Sequence, residues 1–80
     1  MKTSDLKKLI SVALNVNEKK INENSSFKNT PEWDSLGHLS ILSSLDKKTK
    51  GKTSKFKELS EAMEFKKINK ILLKNKIIKN

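Results

Sequence analysis

The sequence predicts an all-α protein: a small four-helix bundle with three main helices, a short third helix and a long first loop. Two observations predict this class. Apolar residues recur at spacings of three and four in separate stretches, as in helices with one buried face. Only two glycines and one proline occur among 80 residues, which argues against a loop-rich or all-β fold. A chain of this length forms one domain, which we assign to residues 1–80.

The first helix is predicted over residues 4–14. Its apolar residues follow the i, i+3, i+4, i+7, i+8 spacing of a single buried face. They are Leu6, Leu9, Ile10, Ala13 and Leu14. Asp5 lies near the N-terminal end, where the helix dipole favours a negative charge. The pattern therefore predicts an amphipathic helix that packs on the core by this face.

Residues 15–34 are predicted to form a long loop, because they are rich in Asn, Ser, Lys and Glu. Val16, Ile21 and Phe27 are expected to anchor this loop to the core. Trp33 is expected to be a further anchor, since one large aromatic residue beside a small bundle mostly contributes burial. A connection of this length permits a crossover topology.

The second helix is predicted over residues 35–48, a length of about 21 Å. Its apolar residues spread over more than half of the circumference, and they are Leu36, Leu39, Ile41, Leu42 and Leu45. This breadth indicates a central helix that packs on several neighbours and leaves one end for a partner. A polar, basic segment follows, in which Gly51 is placed to stop the helix.

The last two helices are predicted in the C-terminal part of the chain. Residues 56–62 favour a short third helix with Phe56, Leu59 and either Ala62 or Met63 inward. The last helix is predicted over residues 64–74, and its inward side chains are Phe65, Ile68, Ile71 and Leu72. The apolar pattern weakens after this point, so the final few residues are expected to fray.

Composition excludes several classes of function. The chain has no cysteine, so disulfides, thiolate metal sites and a catalytic cysteine are excluded. With one histidine and no cysteine, no metal site is expected. No apolar run approaches the roughly 20 residues of a membrane span, and the N-terminus lacks a signal-peptide core. We therefore expect a cytoplasmic protein with no membrane span.

Ser35 stands where the loop is predicted to become a helix. The free N–H groups and the dipole of a helix N-terminus favour a phosphate there. Ser35 is therefore suited to carry a phosphodiester, although serine is also a favoured helix N-cap and the two roles are compatible. A catalytic role is not expected, because His38 is the single histidine and no second base, oxyanion hole or pocket is indicated. The protein is accordingly not expected to be an enzyme.

Residues 33–39, Trp-Asp-Ser-Leu-Gly-His-Leu, resemble the attachment motif of acyl carrier proteins. The similarity extends over most of the chain: an amphipathic segment, a long loop, the motif, a helix, a short segment and a last helix. The resemblance implies that Ser35 receives 4′-phosphopantetheine from coenzyme A through a separate phosphopantetheinyl transferase. It implies in turn a carrier that holds an acyl or aminoacyl intermediate as a thioester. It also implies that Leu36 is exposed and docks into partner enzymes, with Asp34 in recognition, whereas ordinary packing is the alternative for Leu36.

The remaining residues of the motif are also predicted to contact partners. Gly37 costs roughly 1 kcal/mol in a helix relative to alanine, so it either admits a partner's backbone or the prosthetic arm, or is tolerated in the first turn. His38 is either a partly exposed bystander or a contact to the phosphate or to a partner enzyme, and we favour contact. Leu39 completes the predicted recognition stretch.

The charge distribution departs from the carrier family, whose members are typically acidic. Residues 1–46 hold six lysines and six acidic residues, whereas residues 47–80 hold twelve lysines and three glutamates. We therefore expect loading and accepting enzymes with acidic docking surfaces and a specialised biosynthetic pathway. We also expect a monomer. A solvated basic surface in a compositionally biased genome is the alternative. Two other function classes remain. One is a small basic nucleic-acid-binding helical module, which the absence of arginine weakens. The other is a basic, partly amphipathic helix over residues 64–79 that lies on a membrane surface, which the weaker apolar pattern after Leu73 argues against.

Overall fold

The computed structural model describes residues 1–79 as an all-helical unit of 28 × 24 × 18 Å. Its three α-helices are α1 (Thr3–Leu14), α2 (Ser35–Lys48) and α3 (Phe65–Lys74). Short 3₁₀-helices span Glu18–Lys20, Lys52–Lys55 and Lys57–Glu61. The described residues contain no strand, only an isolated bridge between Ser26 and Glu64. The all-α class is therefore confirmed.

The predicted helix count is only partly confirmed. The bounds predicted for α2 match the structure, and α1 and α3 each differ by one residue at the start. The predicted short third helix over 56–62 is instead the 3₁₀-helix Lys57–Glu61. Its hydrogen bonds run from Leu59 N to Phe56 O and from Ala62 N to Leu59 O, the i+3 spacing that short helical pieces favour. The bundle thus has three α-helices among the described residues.

The core lies where the apolar faces of the three α-helices meet the loop and the last 3₁₀-helix. These faces are buried because the 3.6-residue period gathers their apolar side chains on one side of each helix. The buried apolar residues are Leu6, Ile10, Leu14, Ile21, Trp33, Ile41, Leu45, Leu59, Ala62, Phe65, Ile68, Leu72 and Ile78.

The long loop is held partly by its own polar side chains. Asn17, Asn22 and Ser26 each accept a hydrogen bond from the backbone N–H two residues later, as in Asx and serine turns. Ile21 is fully buried, as expected of an anchor, but Phe27 is 47% exposed. The predicted anchoring by Phe27 is wrong, because backbone hydrogen bonds between residues 25–27 and 63–65 attach this segment instead.

The C-terminal residues are ordered against the core, so the predicted fraying is wrong for the described residues 75–79. Lys76 takes a left-handed conformation (φ 60°) after α3, which turns the chain back, and the amides of Ile77 and Ile78 both donate to Leu72 O. Ile78 is thereby buried, and Lys79 N donates to Met1 O at 2.9 Å. The prediction for Asn80 lies outside the described residues.

A buried hydrogen-bonded chain, here called the histidine clasp, joins the loop, α2 and the last 3₁₀-helix. It consists of Trp33, His38 and the carbonyl group of Leu59. Trp33 Nε1 donates to His38 Nδ1 at 3.1 Å, and His38 Nε2 lies 2.8 Å from Leu59 O. Because an indole N–H can only donate, Nδ1 must accept, so the proton resides on Nε2 and is donated to the carbonyl. Both imidazole nitrogens are therefore used inside the fold.

The positive charge, by contrast, is weakly compensated. Among residues 1–79 the single ion pair is Lys67–Glu64 at 3.4 Å, between exposed side chains. Lys66, Lys70 and Lys74 form an i, i+4, i+8 row on α3. Like charges at this spacing destabilise a helix. Separately, the net charge of +9 opposes the compact state at low ionic strength, because like charges repel one another throughout the molecule.

The clasp predicts a large stability loss for His38→Ala. The change leaves the Trp33 indole N–H and the Leu59 carbonyl without partners and opens a cavity, so unfolding should become easier by about 2–4 kcal/mol. Urea unfolding followed by far-UV circular dichroism measures this difference. Ser40→Ala, on the exposed side of α2, is the matched control, and equal stability of the two variants would contradict the assigned role.

The lysine row predicts that Lys70→Glu stabilises the protein at low salt. The substitution replaces two repulsive spacings by two attractive ones. This change should outweigh the new repulsion from Glu58 and Glu61, which line the same shallow pocket as residue 70, and should add about 0.5–1 kcal/mol to the free energy of unfolding. Added salt should erase most of the gain, because screening weakens exposed charge interactions. Lys28→Glu changes the net charge equally outside the row, and an identical gain in that variant would show that the row itself has no effect. Thermal unfolding at several salt concentrations distinguishes these outcomes.

Candidate functional site

Ser35 is the first residue of α2 and is exposed, as its predicted role requires. Its hydroxyl makes no hydrogen bond to any residue in 1–79. The N-cap is Asp34, whose Oδ1 accepts a hydrogen bond from Gly37 N at 2.8 Å. Capping is thus done by the aspartate, and the serine side chain stays available for chemistry.

The backbone around Ser35 offers hydrogen-bond donors to an anion. Within residues 1–79 the N–H groups of Ser35 and Leu36 have no acceptor, as is usual in the first turn of a helix. The dipole there favours a negative charge by about 0.3–1 kcal/mol. The exposed carboxylates of Glu32 and Asp34 oppose it by a similar amount, roughly 0.2–1 kcal/mol each. Together the two carboxylates offset the dipole, so the helix start alone gives no net affinity for a free phosphate.

Two exposed leucines stand beside the serine. Leu36 is 74% exposed and Leu39 is 61% exposed. Their i, i+3 spacing puts them next to each other on the helix surface. Single exposed leucines are ordinary on protein surfaces, but this pair adjoins a free hydroxyl. The apolar residues of α2 are spread widely around the helix, but this spread does not mean that every side of the helix is buried. Part of it is due to this exposed pair of leucines.

Gly37 serves the chain's own packing. A Cβ at this position would collide with the carbonyl oxygen of Glu32 and would come within 2.8 Å of Leu14 Cδ2. The absent side chain therefore lets the end of the loop and the end of α1 approach α2 closely. The sequence alone suggests two explanations for this glycine, a partner's approach and simple tolerance in the first turn. Neither of them includes this contact inside the fold.

His38 is not on the surface. The ring is 4% exposed and belongs to the histidine clasp, so the alternative of a partly exposed bystander is wrong. The favoured contact to the phosphate or to a partner enzyme stays a prediction. The physical reason is that a buried imidazole is stable when both nitrogens have partners, and here Trp33 and Leu59 supply them. Trp33 itself is 1% exposed, as predicted for an anchor. We therefore assign His38 to the support of the site.

A shallow groove of about 390 Å³ begins one helical turn beyond Ser35, between α2 and the 3₁₀-helices. Its apolar lining is formed by Leu39, Leu42, Phe56 and Leu59. Phe56 was predicted as an inward-facing residue, and Leu42 only as one of the apolar residues spread around α2. Phe56, on the far wall of the groove, follows Leu42 by fourteen residues in the sequence. No local sequence pattern therefore indicates the groove.

Two further features of the described residues bear on function. No group of three or more histidine, aspartate and glutamate side chains in residues 1–79 is placed to hold a metal ion. Within the same residues, every helix falls short of the length and apolar character that a membrane crossing needs.

Comparison with known protein families, with curated proteins and with solved structures gives no match to this chain. The function of the site is therefore inferred from its residues, their geometry and the motif resemblance.

Proposed function

We propose that the protein is a carrier that holds an acyl or aminoacyl intermediate on 4′-phosphopantetheine attached to Ser35. The observation that carries this proposal is the free, exposed Ser35 hydroxyl at the start of α2, within a segment that resembles the carrier motif. The protein performs no catalysis itself. It acts in the cytoplasm as a monomer.

Attachment requires an accessible nucleophile and a separate enzyme. A phosphopantetheinyl transferase, which holds Mg²⁺, joins Ser35 Oγ to the phosphate of the pantetheine part of coenzyme A. The serine proton is lost and adenosine 3′,5′-bisphosphate leaves. The N–H groups of Ser35 and Leu36, which have no acceptor within residues 1–79, would be the donors available to hold the phosphate. When attached, the group supplies a terminal thiol that forms the thioester.

The surface next to Ser35 suits the exchange of cargo between enzymes. Leu36 and Leu39 form an apolar contact on which partner enzymes dock, and the neighbouring groove accommodates apolar parts of the arm or its cargo. Because the clasp fixes the end of the loop, partners meet Ser35 in one geometry. Tethering keeps the intermediate at high effective concentration for successive enzymes.

The partners we propose have acidic docking surfaces. Twelve lysines against three glutamates in residues 47–80 would repel the basic surfaces that fit acidic carriers, whereas acidic surfaces are complementary. The chain therefore serves dedicated enzymes of a specialised lipid or secondary-metabolite pathway.

Loading of Ser35 is the decisive test. Incubation with coenzyme A, Mg²⁺ and a broad-specificity phosphopantetheinyl transferase should raise the intact mass by one phosphopantetheine. Ser35→Ala should show no gain, and Ser40→Ala, another exposed serine of α2, should load like the wild type. Unmodified wild-type protein, or loading that persists without the Ser35 hydroxyl, would contradict the proposal.

The exposed leucines predict a docking defect without a folding defect. Leu36→Gln and Leu39→Gln should change the free energy of unfolding by less than about 0.5 kcal/mol, because both side chains are exposed. The loading kcat/KM should fall about five- to thirtyfold, as expected for the loss of 1–2 kcal/mol at an interface. Val12→Gln, with a side chain 71% exposed on α1, is the matched control. Equal loading of all three variants would exclude the leucine pair as a docking surface.

A further inference from the structure

A second distinctive surface lies at the opposite end of α2 from Ser35. It is a cleft of about 520 Å³, here called the lysine cleft, between the C-terminal ends of α2 and α3. Its charged lining residues are Lys48, Lys50, Lys52, Lys76, Lys79 and Asp5. Since α2 rises 1.5 Å per residue, this cleft begins roughly 20 Å from Ser35.

The cleft concentrates uncompensated positive charge. Its single carboxylate, Asp5, already accepts a hydrogen bond from Lys2 N at 2.7 Å, which caps α1. Among residues 1–79 the only ion pair is Lys67–Glu64, so none of the five cleft lysines is paired. An anionic ligand would relieve their mutual repulsion, and clefts lined by one sign of charge focus the field on such a ligand.

Two of these lysines occupy unusual backbone positions. Lys50 follows α2 with φ 55° and Lys76 follows α3 with φ 60°. Glycine and asparagine are the usual residues at left-handed positions after a helix, because a Cβ is unfavourable there. The usual glycine would carry no charge at these two positions. The lysines that stand there instead bring two positive charges to the cleft.

The lining favours acidic polypeptide over other anions. The exposed large apolar side chains of residues 1–79 are Val12, Phe27, Leu36, Leu39 and Leu73. None of them lines the cleft, whose apolar lining residues Met1 and Ile77 are partly buried against the core, so it presents no exposed apolar side chain for insertion into a lipid surface. It also has no aromatic side chain on which nucleobases could stack, and without arginine it can hold phosphate only through single ammonium contacts. Lysine ammonium groups on flexible stems pair readily with separate carboxylates.

We infer that the lysine cleft binds an aspartate- and glutamate-rich segment of a partner protein. This inference rests on the proposed function and adds to it a second contact with the partner, distinct from the contact at Ser35. The acidic segment is held at one end of α2 while Ser35 and the exposed leucines at the other end stay free. A partner bound in this way retains the carrier between successive encounters at Ser35.

The test is a titration of ¹⁵N-labelled Ser35→Ala protein with an oligoglutamate peptide at roughly 50 mM salt, where exposed charges are incompletely screened. Amide shifts should concentrate at residues 48–52 and 76–79. The triple variant Lys50→Gln, Lys52→Gln and Lys76→Gln should weaken binding about tenfold or more. The control Lys8→Gln, Lys19→Gln and Lys28→Gln removes the same charge from exposed positions elsewhere and should bind almost as the parent does. Equal weakening in both variants, or shifts spread over all lysines, would overturn the inference.

Parallel titrations decide between classes of anion. A single-stranded oligonucleotide with the peptide's charge, and vesicles containing phosphatidylserine, should bind more weakly at the cleft than the peptide. If the oligonucleotide or the vesicles bind more tightly than the peptide through the same residues, the inference of an acidic segment is wrong, and the ligand of the cleft is nucleic acid or membrane. Because Ser35→Ala cannot be loaded, peptide binding by this variant is independent of the carrier test. A failure of loading and a failure of peptide binding are therefore distinguishable.

Discussion

The two hydrogen bonds of His38 hold together the parts of the molecule that define the site. They connect Trp33 at the end of the loop, α2 itself and the carbonyl of Leu59 in the last 3₁₀-helix. Every polar atom of the ring is satisfied, and a fully satisfied buried network favours one arrangement of its members. Ser35 follows the loop directly, and the groove lies between the segments that the clasp joins. Both features therefore depend on this one side chain.

The α2 helix separates two kinds of surface along its length. Its N-terminal end presents a free hydroxyl, two exposed leucines and two carboxylates, whereas its C-terminal end borders the lysine cleft. The order agrees with the helix dipole, which favours negative groups at the start and positive groups at the end. Five of the twelve lysines in residues 47–80 line the cleft, so part of the sequence asymmetry is gathered at this end of α2.

Much of the fold could be predicted because it depends on local periodicity. Leu6, Ile10 and Leu14 repeat at helical spacing and are buried, and the exposed start of α2 follows from the position of Asp34 and Ser35. The errors concern side chains whose environment is set by distant residues. His38 is buried because Leu59, 21 residues away, accepts its proton, and Ile78 is buried because a left-handed Lys76 turns the chain back. Neither contact leaves a signal in its own segment.

The burial of Trp33 has a practical consequence, because it is the only tryptophan in the chain. Its indole lies inside the fold, two residues before Ser35, with its N–H bound to His38. The intrinsic fluorescence of the protein therefore originates at the serine end of α2. Tryptophan fluorescence of the unlabelled molecule reports on events at that end, whereas the basic end has no tryptophan or tyrosine of its own.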